Sequence, residues 1–330
     1  MSSKVIDMKC QNCGAENSDN AKFCKKCGKT IGGSVEQPTS KSRFSPAIKA
    51  LIVIIVLIVA IGGAYAYIVY FDVSPVEIEQ LTTSNGGNVL KNPEIASNIP
   101  DCDSVDKVID SANSGVPVYK IGDGSGPVTV ICAGVHGDQL NPSVAALDLI
   151  KYLDGRKIKG TVYVIPFASP EAISDNTKLT DGVNLNTVAD EPGTVSNKIV
   201  NFAREHNASA VGDFHETQAG KNPGITTIMC SKVPTYGSYD LAHAMSGLSL
   251  DTTFTFTLAG IAYDGAIEDE CNLAGTPAVT PLVVVSDHGQ VSQSAVSESY
   301  NQMLALLIAN GNLDYDDVYL KLANSDLDGF

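Results

Sequence analysis

An α/β fold, a mostly parallel or mixed sheet flanked by helices, is what the sequence predicts from about residue 116 onward. Three observations carry the prediction. Short runs rich in Val, Ile and Thr recur at 116–121, 128–133, 161–166, 208–213 and 277–286, as buried strands do. Stretches with a helical spacing of apolar residues, at 142–153, 196–204 and 294–309, alternate with them. Glycine-rich turns such as the one at 122–127 lead from one run into the next.

The chain ahead of that domain is built differently. Residues 8–28 carry Cys10 and Cys13, then Cys24 and Cys27, two CxxC knuckles each followed by glycine. Four thiolates at that spacing match tetrahedral zinc, and the glycines suit the tight turns. So small a segment has little apolar core, so the metal is expected to supply its folding energy. It resembles the zinc ribbons at the N-termini of many prokaryotic membrane proteins. Closed sites of this kind bind partners more often than they catalyse, so a cytoplasmic partner of unknown identity is expected. Residues 29–49 are rich in Gly, Ser and Pro and predict a flexible linker.

Residues 50–71 run without a charge. A helix of that length crosses the roughly 30 Å hydrocarbon layer of a bilayer. Tyr65, Tyr67 and Tyr70 gather at its C-terminal end, as in an interfacial aromatic belt. The run begins too far into the chain for an ordinary cleaved signal peptide. Lys41, Arg43 and Lys49 precede it and Asp72, Glu77 and Glu79 follow it. The positive-inside rule then predicts a single-pass cell-membrane protein, with the ribbon in the cytoplasm and residues 72–330 outside. Residues 1–49 hold nine Lys/Arg against four acids, so a net −20 falls on the remainder of a chain whose total is −15. An outer part so acidic is not expected to bind nucleic acid or anionic membrane surfaces, and its charge favours solubility. Residues 72–115 are Asn- and Ser-rich with scattered apolar positions and predict a stalk or lead-in, leaving 116–330 as the compact domain. Cys102, Cys132, Cys230 and Cys271 allow three pairings, and their spacing neither chooses among these nor excludes free thiols. Cys132, inside an apolar strand, reads as a buried thiol.

Four local motifs carry the chemistry of the outer domain. They are Gly134-Val-His136-Gly-Asp-Gln139, then Asp181-Gly-Val-Asn184-Leu-Asn186-Thr187, then Asp213-Phe-His215, and Gly275-Thr-Pro-Ala-Val-Thr280-Pro-Leu282. In order and spacing they resemble the zinc carboxypeptidase superfamily, and most closely its succinylglutamate desuccinylase/aspartoacylase-like branch. The corresponding family patterns are Gly-x-His-Gly-x-Glu, Asn-Leu-Asn-Arg, Asp-Leu-His and Gly-x-Pro-Ala-x-Thr-x-Glu.

The resemblance implies a carboxypeptidase or deacylase fold and metal-assisted amide hydrolysis. Two histidines and a carboxylate hold Zn²⁺, a glutamate moves the proton, and an arginine stabilises the oxyanion or grips a substrate carboxylate. Carried onto this chain, it makes His136, Gln139 and His215 the candidate outer zinc ligands, and Asn184, Asn186 and Lys178 the candidate substrate contacts. The chain departs from the pattern at three places. Gln139 stands at the carboxylate ligand, Thr187 at the arginine and Leu282 at the general base, which leaves no residue assigned to catalysis. The expected function is therefore a membrane-anchored, catalytically degenerate domain that binds a peptide, acylated amino acid or cell-wall fragment. The alternatives are an active zinc amide hydrolase with an altered metal shell, and a sensor relaying ligand binding to the ribbon. Among substitutes for the lost carboxylates, Asp287 and His288 beyond the last strand are candidates to touch the site. Glu216 is expected to face away from it, and Glu268, Asp269 and Glu270 to form a solvated acidic turn. His206 and His243 are expected to be structural or exposed.

Overall fold

The computed structural model describes residues 8–31, 45–71, 73–248, 252–316 and 318. The linker predicted at 29–49 lies mostly outside them, as do the flanking charges Lys41, Arg43 and Asp72.

Strands β1 (Met8–Lys9) and β2 (Glu16–Asn17) form an antiparallel pair. Cys10, Cys24 and Ile31 are the buried core beneath them. A core of that size contributes only a few kcal/mol of apolar burial, which is why the four thiols have to carry the unit. Helix α1 (Pro46–Phe71) follows, and over Pro46–Tyr65 its mean hydropathy is 2.8 with no part of the span buried. It is long and apolar enough to cross a membrane. It starts at Pro46 rather than at residue 50 because proline suits the first helical turn and the Ser45 hydroxyl accepts the Ile48 N–H at 3.3 Å.

The second unit begins with β3 (Val76–Thr82), α2 (Pro93–Ala96), α3 (Asp103–Ala112) and β4 (Val116–Gly122). Then come β5 (Val128–Ala133), α4 (Leu140–Leu153), β6 (Thr161–Ile165), α5 (Pro170–Asp175), α6 (Val195–Glu205) and β7 (Ala210–Gln218). The chain continues through β8 (Thr227–Ser231), α7 (Gly237–Ser246), β9 (Thr253–Thr257), α8 (Ile267–Leu273), β10 (Ala278–Val285) and α9 (Gln293–Ala309). The eight-stranded sheet has the order β3-β4-β6-β5-β7-β10-β8-β9. Pairs β6–β5, β5–β7, β7–β10 and β8–β9 are parallel, whereas β3–β4, β4–β6 and β10–β8 are antiparallel. The predicted mixed sheet is thus present.

Strand alternation divides the core into two layers. Ile131 and Ala133 of β5 join residues of α3, α4, α7 and α9 on one face. Val130 and Cys132 join residues of α6 and α8 on the other. On β7, Phe214 points into the first layer, so Asp213 and His215 point to the second. That strand runs to Gln218, well past residue 213, which holds His215 on a paired segment rather than a loop.

The lead-in at 72–115 is corrected by the structure. Strand β3 pairs with β4 through Val76↔Ile121, Ile78↔Tyr119 and Glu79↔Val118, and closes one edge of the sheet. In α3, Val105, Val108, Ile109 and Ala112 are all buried against the first layer. Each buried Val or Ile contributes about 1.5–3 kcal/mol, so this segment is part of the core and not a stalk. Cys102, Cys132, Cys230 and Cys271 are all free thiols, and burial pushes the Cys132 thiol well up from its ordinary pKa.

Candidate functional site

The loop after β5 aims the first motif. Gly134 has φ +72°, and a Cβ there would press on the Ile173 and Ser143 side chains. At Gly137 a Cβ would run into the Ala172 backbone of α5. The Gly-Val-His-Gly pattern is therefore a steric requirement: it lets the loop pass α5 and turn His136 back over the sheet.

Six residues implied by the resemblance, His136, Gln139, Lys178, Asn184, Asn186 and His215, all line one cavity of about 530 Å³, together with Thr187 and Leu282. Leu282 of β10 pairs directly with His215 of β7, so the position of the family's proton carrier lies beside the histidine and is apolar. Asp287 and His288 do not line this cavity. His288 meets it indirectly, through a 2.9 Å contact from Nδ1 to Glu216 Oε2 that raises its pKa. Glu216, expected to face away, also lines the cavity, while its Oε1 accepts from the Asn141 backbone and side chain. His206 stacks on Phe202 at a helix end, and His243 is exposed on α7.

Hydrogen bonds fix the state of each histidine. Asn184 Oδ1 accepts the Asn186 backbone N–H at 3.1 Å and so is an acceptor. The His136 Nε2 atom 2.8 Å from that oxygen must carry the proton. His136 Nδ1 is then a bare lone pair, buried and without a partner. Burial, and next the neighbouring His215, lower the His136 pKa to about 3, so the ring stays neutral.

His215 is held the opposite way. The Gln139 amide pairs with the Glu216 backbone, accepting its N–H at 3.0 Å on Oε1 and donating from Nε2 to its carbonyl at 3.3 Å. That pairing orients the amide, so His215 Nδ1, 2.7 Å from Oε1, has to donate. Its other nitrogen lies 3.1 Å from Asp213 Oδ2, a contact without hydrogen-bond alignment, and both Asp213 oxygens lack partners. The rings of His136 and His215 meet edge to face at 5.1 Å.

This donor set does not fit the zinc ion that the fold implies. His136 offers a free lone pair, but the His215 nitrogen that faces Gln139 carries a proton, its Nε2 is turned to Asp213, and Gln139 Oε1 is neutral and already occupied. Among the described residues, the groups of three or more His, Cys, Asp or Glu close enough to share an ion are the ribbon cysteines and Asp264, Asp269 and Glu270. Neither group includes His136 or His215. The ribbon does fit. A tetrahedral Zn²⁺ with Zn–S near 2.3 Å separates its sulfurs by about 3.8 Å. Here Cys10 and Cys27 lie 3.7 Å apart, Cys13 and Cys24 3.5 Å. Backbone N–H groups of Lys26 and Cys27 lower the Cys24 thiol to about 6, towards the thiolate a metal needs.

Asn184, which lines the cavity, also caps its own turn and orients His136. One further expectation changes. Glu268 and Asp269, taken as solvated, are buried in the first turn of α8, and Glu268 lines the cavity. Its Oε1 accepts from Asn272 Nδ2 at 2.5 Å. Burial raises its pKa to about 8, with further repulsion from Asp269 and Asp213. The signal in the sequence was the pair Ile267 and Cys271, an i, i+4 apolar stripe that anchors the helix and turns Glu268 inward.

Residues 125–258 match the family model of the succinylglutamate desuccinylase/aspartoacylase catalytic domain, and residues 9–31 that of a zinc-ribbon domain. Among solved structures, a succinylglutamate desuccinylase from Silicibacter sp. TM1040 is 18% identical with a TM-score of 0.50, over 61% of this chain and 63% of that one. An aspartoacylase family protein from Mesorhizobium loti is 21% identical with a TM-score of 0.48, over 60% and 62%. A metallopeptidase-like protein from Shewanella denitrificans is 14% identical with a TM-score of 0.47, over 73% and 98%. The chain thus spans less than two thirds of the first two, and likeness at these identities speaks for the fold alone. No curated protein sequence matches. Residues 125–258 are thus similar to a succinylglutamate desuccinylase/aspartoacylase catalytic domain, in a chain whose residues 9–31 match a zinc ribbon.

Proposed function

We propose that the chain is a single-pass membrane protein whose outer domain keeps the deacylase-type cavity as a binding site and has lost zinc-dependent hydrolysis. The ligand is a peptide, an acylated amino acid or a cell-wall fragment, and the ribbon binds zinc and a cytoplasmic partner. The observation that supports this most is the Gln139 amide. Clamped on the Glu216 backbone, it puts a neutral oxygen where the family has a carboxylate and keeps a proton on His215 Nδ1, which leaves that ring's lone pair on Nε2, turned to Asp213. Leu282 in place of a base and Thr187 in place of an arginine point the same way, since leucine cannot move a proton and threonine brings no charge to a carboxylate. Anchoring is supported by the apolar α1 helix, and sidedness by the basic residues before it and the acidic ones after it.

The test uses the full chain in detergent micelles. Metal analysis is expected to give one zinc per chain, lost when the ribbon cysteines are replaced by serine. Peptides and N-acyl amino acids are expected to remain uncut. Two zinc ions per chain with chelator-sensitive turnover would establish the active hydrolase instead.

A further inference from the structure

We propose that the cavity selects a ligand carrying a positively charged aliphatic amine, seated on Glu268. This rests on the reading of the cavity as a binding site, and it narrows the ligand class. An amine of this kind is presented by a peptide amino terminus or by the side chain of a diamino acid.

Glu268 is 1% exposed, yet it lines the cavity, and only one of its oxygens is engaged by the protein, through Asn272. Among the described residues Oε2 has no hydrogen-bond partner. A carboxyl group so placed is costly unless a cation or donor reaches it. The groups that face it do not supply one. They are Asp269 and Cys271 on its own helix, Asp213 of β7 and Cys230 of β8, none of them cationic. Asp213 is fully buried with both oxygens unpartnered, which deepens the negative potential there. Asp264 adds a further carboxylate to the lining, whereas Lys178 is the one lysine or arginine among the lining residues. The feature that would favour an anion is also gone. Thr187 occupies the arginine position, and its hydroxyl donates to Asn184 O at 2.9 Å. A ligand ammonium against Glu268 forms a charge-assisted hydrogen bond in a low-dielectric pocket, and Lys178 is left for a carboxylate of the same ligand. The raised pKa of Glu268 fits this arrangement, because binding an amine favours the ionised carboxylate.

The experiment is calorimetry on the full chain in detergent with two probes of equal length, 1,5-diaminopentane and glutarate, from pH 6 to pH 9. The diamine is expected to bind at least about tenfold more tightly than glutarate, and to tighten as pH rises and Glu268 ionises. Glu268→Gln keeps the Asn272 bond and is expected to lose about tenfold in diamine affinity together with the pH dependence. Asp264→Asn, on the cavity wall outside the core, is expected to weaken the diamine while the near-ultraviolet circular dichroism stays native. Preference for glutarate, binding of neither probe, or unchanged diamine binding in both variants overturns the proposal. Zinc content and turnover measured on the same sample separate this from the broader reading. A second zinc with hydrolysis defeats the binding-site function but leaves the amine preference measurable as substrate choice.

Discussion

Gln139 differs from the glutamate of the related motif by an amide nitrogen in place of a carboxylate oxygen, and the consequence runs through the Glu216 backbone. The nitrogen donates to the Glu216 carbonyl, while the oxygen receives the backbone N–H and His215. A carboxylate cannot donate to that carbonyl, so it would turn away and release His215 Nδ1. Gln139→Glu is accordingly expected to raise the zinc content of the full chain from one to two ions, read by metal analysis. Gln139→Ala strands buried donors and a buried carbonyl, and is expected to cost about 1–3 kcal/mol in denaturant unfolding. Glu268 gives a prediction in pH. Its folded pKa of about 8 lies above the ordinary 4.5, so its contribution is fully present below pH 4.5 and lost as pH rises to about 8. Glu268→Gln is expected to flatten that decline in Tm. The histidines and their motifs were legible in the sequence because spacing and residue type carry them. The proton on His215 was not, because it depends on a backbone group of Glu216 that only the strand pairing brings to Gln139.

Periodicity located the central strands and the long helices, from β5 through α4 to α9, because burial on both faces imposes uninterrupted apolar runs. It failed where elements are short or half polar. Strand β3 has alternating Glu77 and Glu79, and α3 presents only Val105, Val108, Ile109 and Ala112 to the core, so the stretch reads as sparse. Their place emerges only once β4 offers β3 an edge and α3 finds the first layer. Ile95 of α2, also fully buried, tests the point. Ile95→Ala is expected to destabilise the α/β domain by about 2–5 kcal/mol, measured by denaturant titration. A true stalk residue would show almost no change.

The chain joins a unit with a very small apolar core and four clustered thiols to one with an extensive core. Cys24→Ser is therefore expected to abolish ribbon zinc while leaving the thermal unfolding of the α/β domain unchanged, as calorimetry of the full chain will read. The sheet ends at β3 on one side and β9 on the other. Lys120 of β4 reaches Glu77 at 2.8 Å and Glu79 at 3.4 Å, so the β3 edge carries a lattice of charge. On the other side Lys232, just after β8, lies over the Phe256 ring of β9 at 4.3 Å. A charged edge makes pairing with the bare strand of a second copy repulsive or wet, so the residues that finish the β3 side of the sheet also guard it against aggregation.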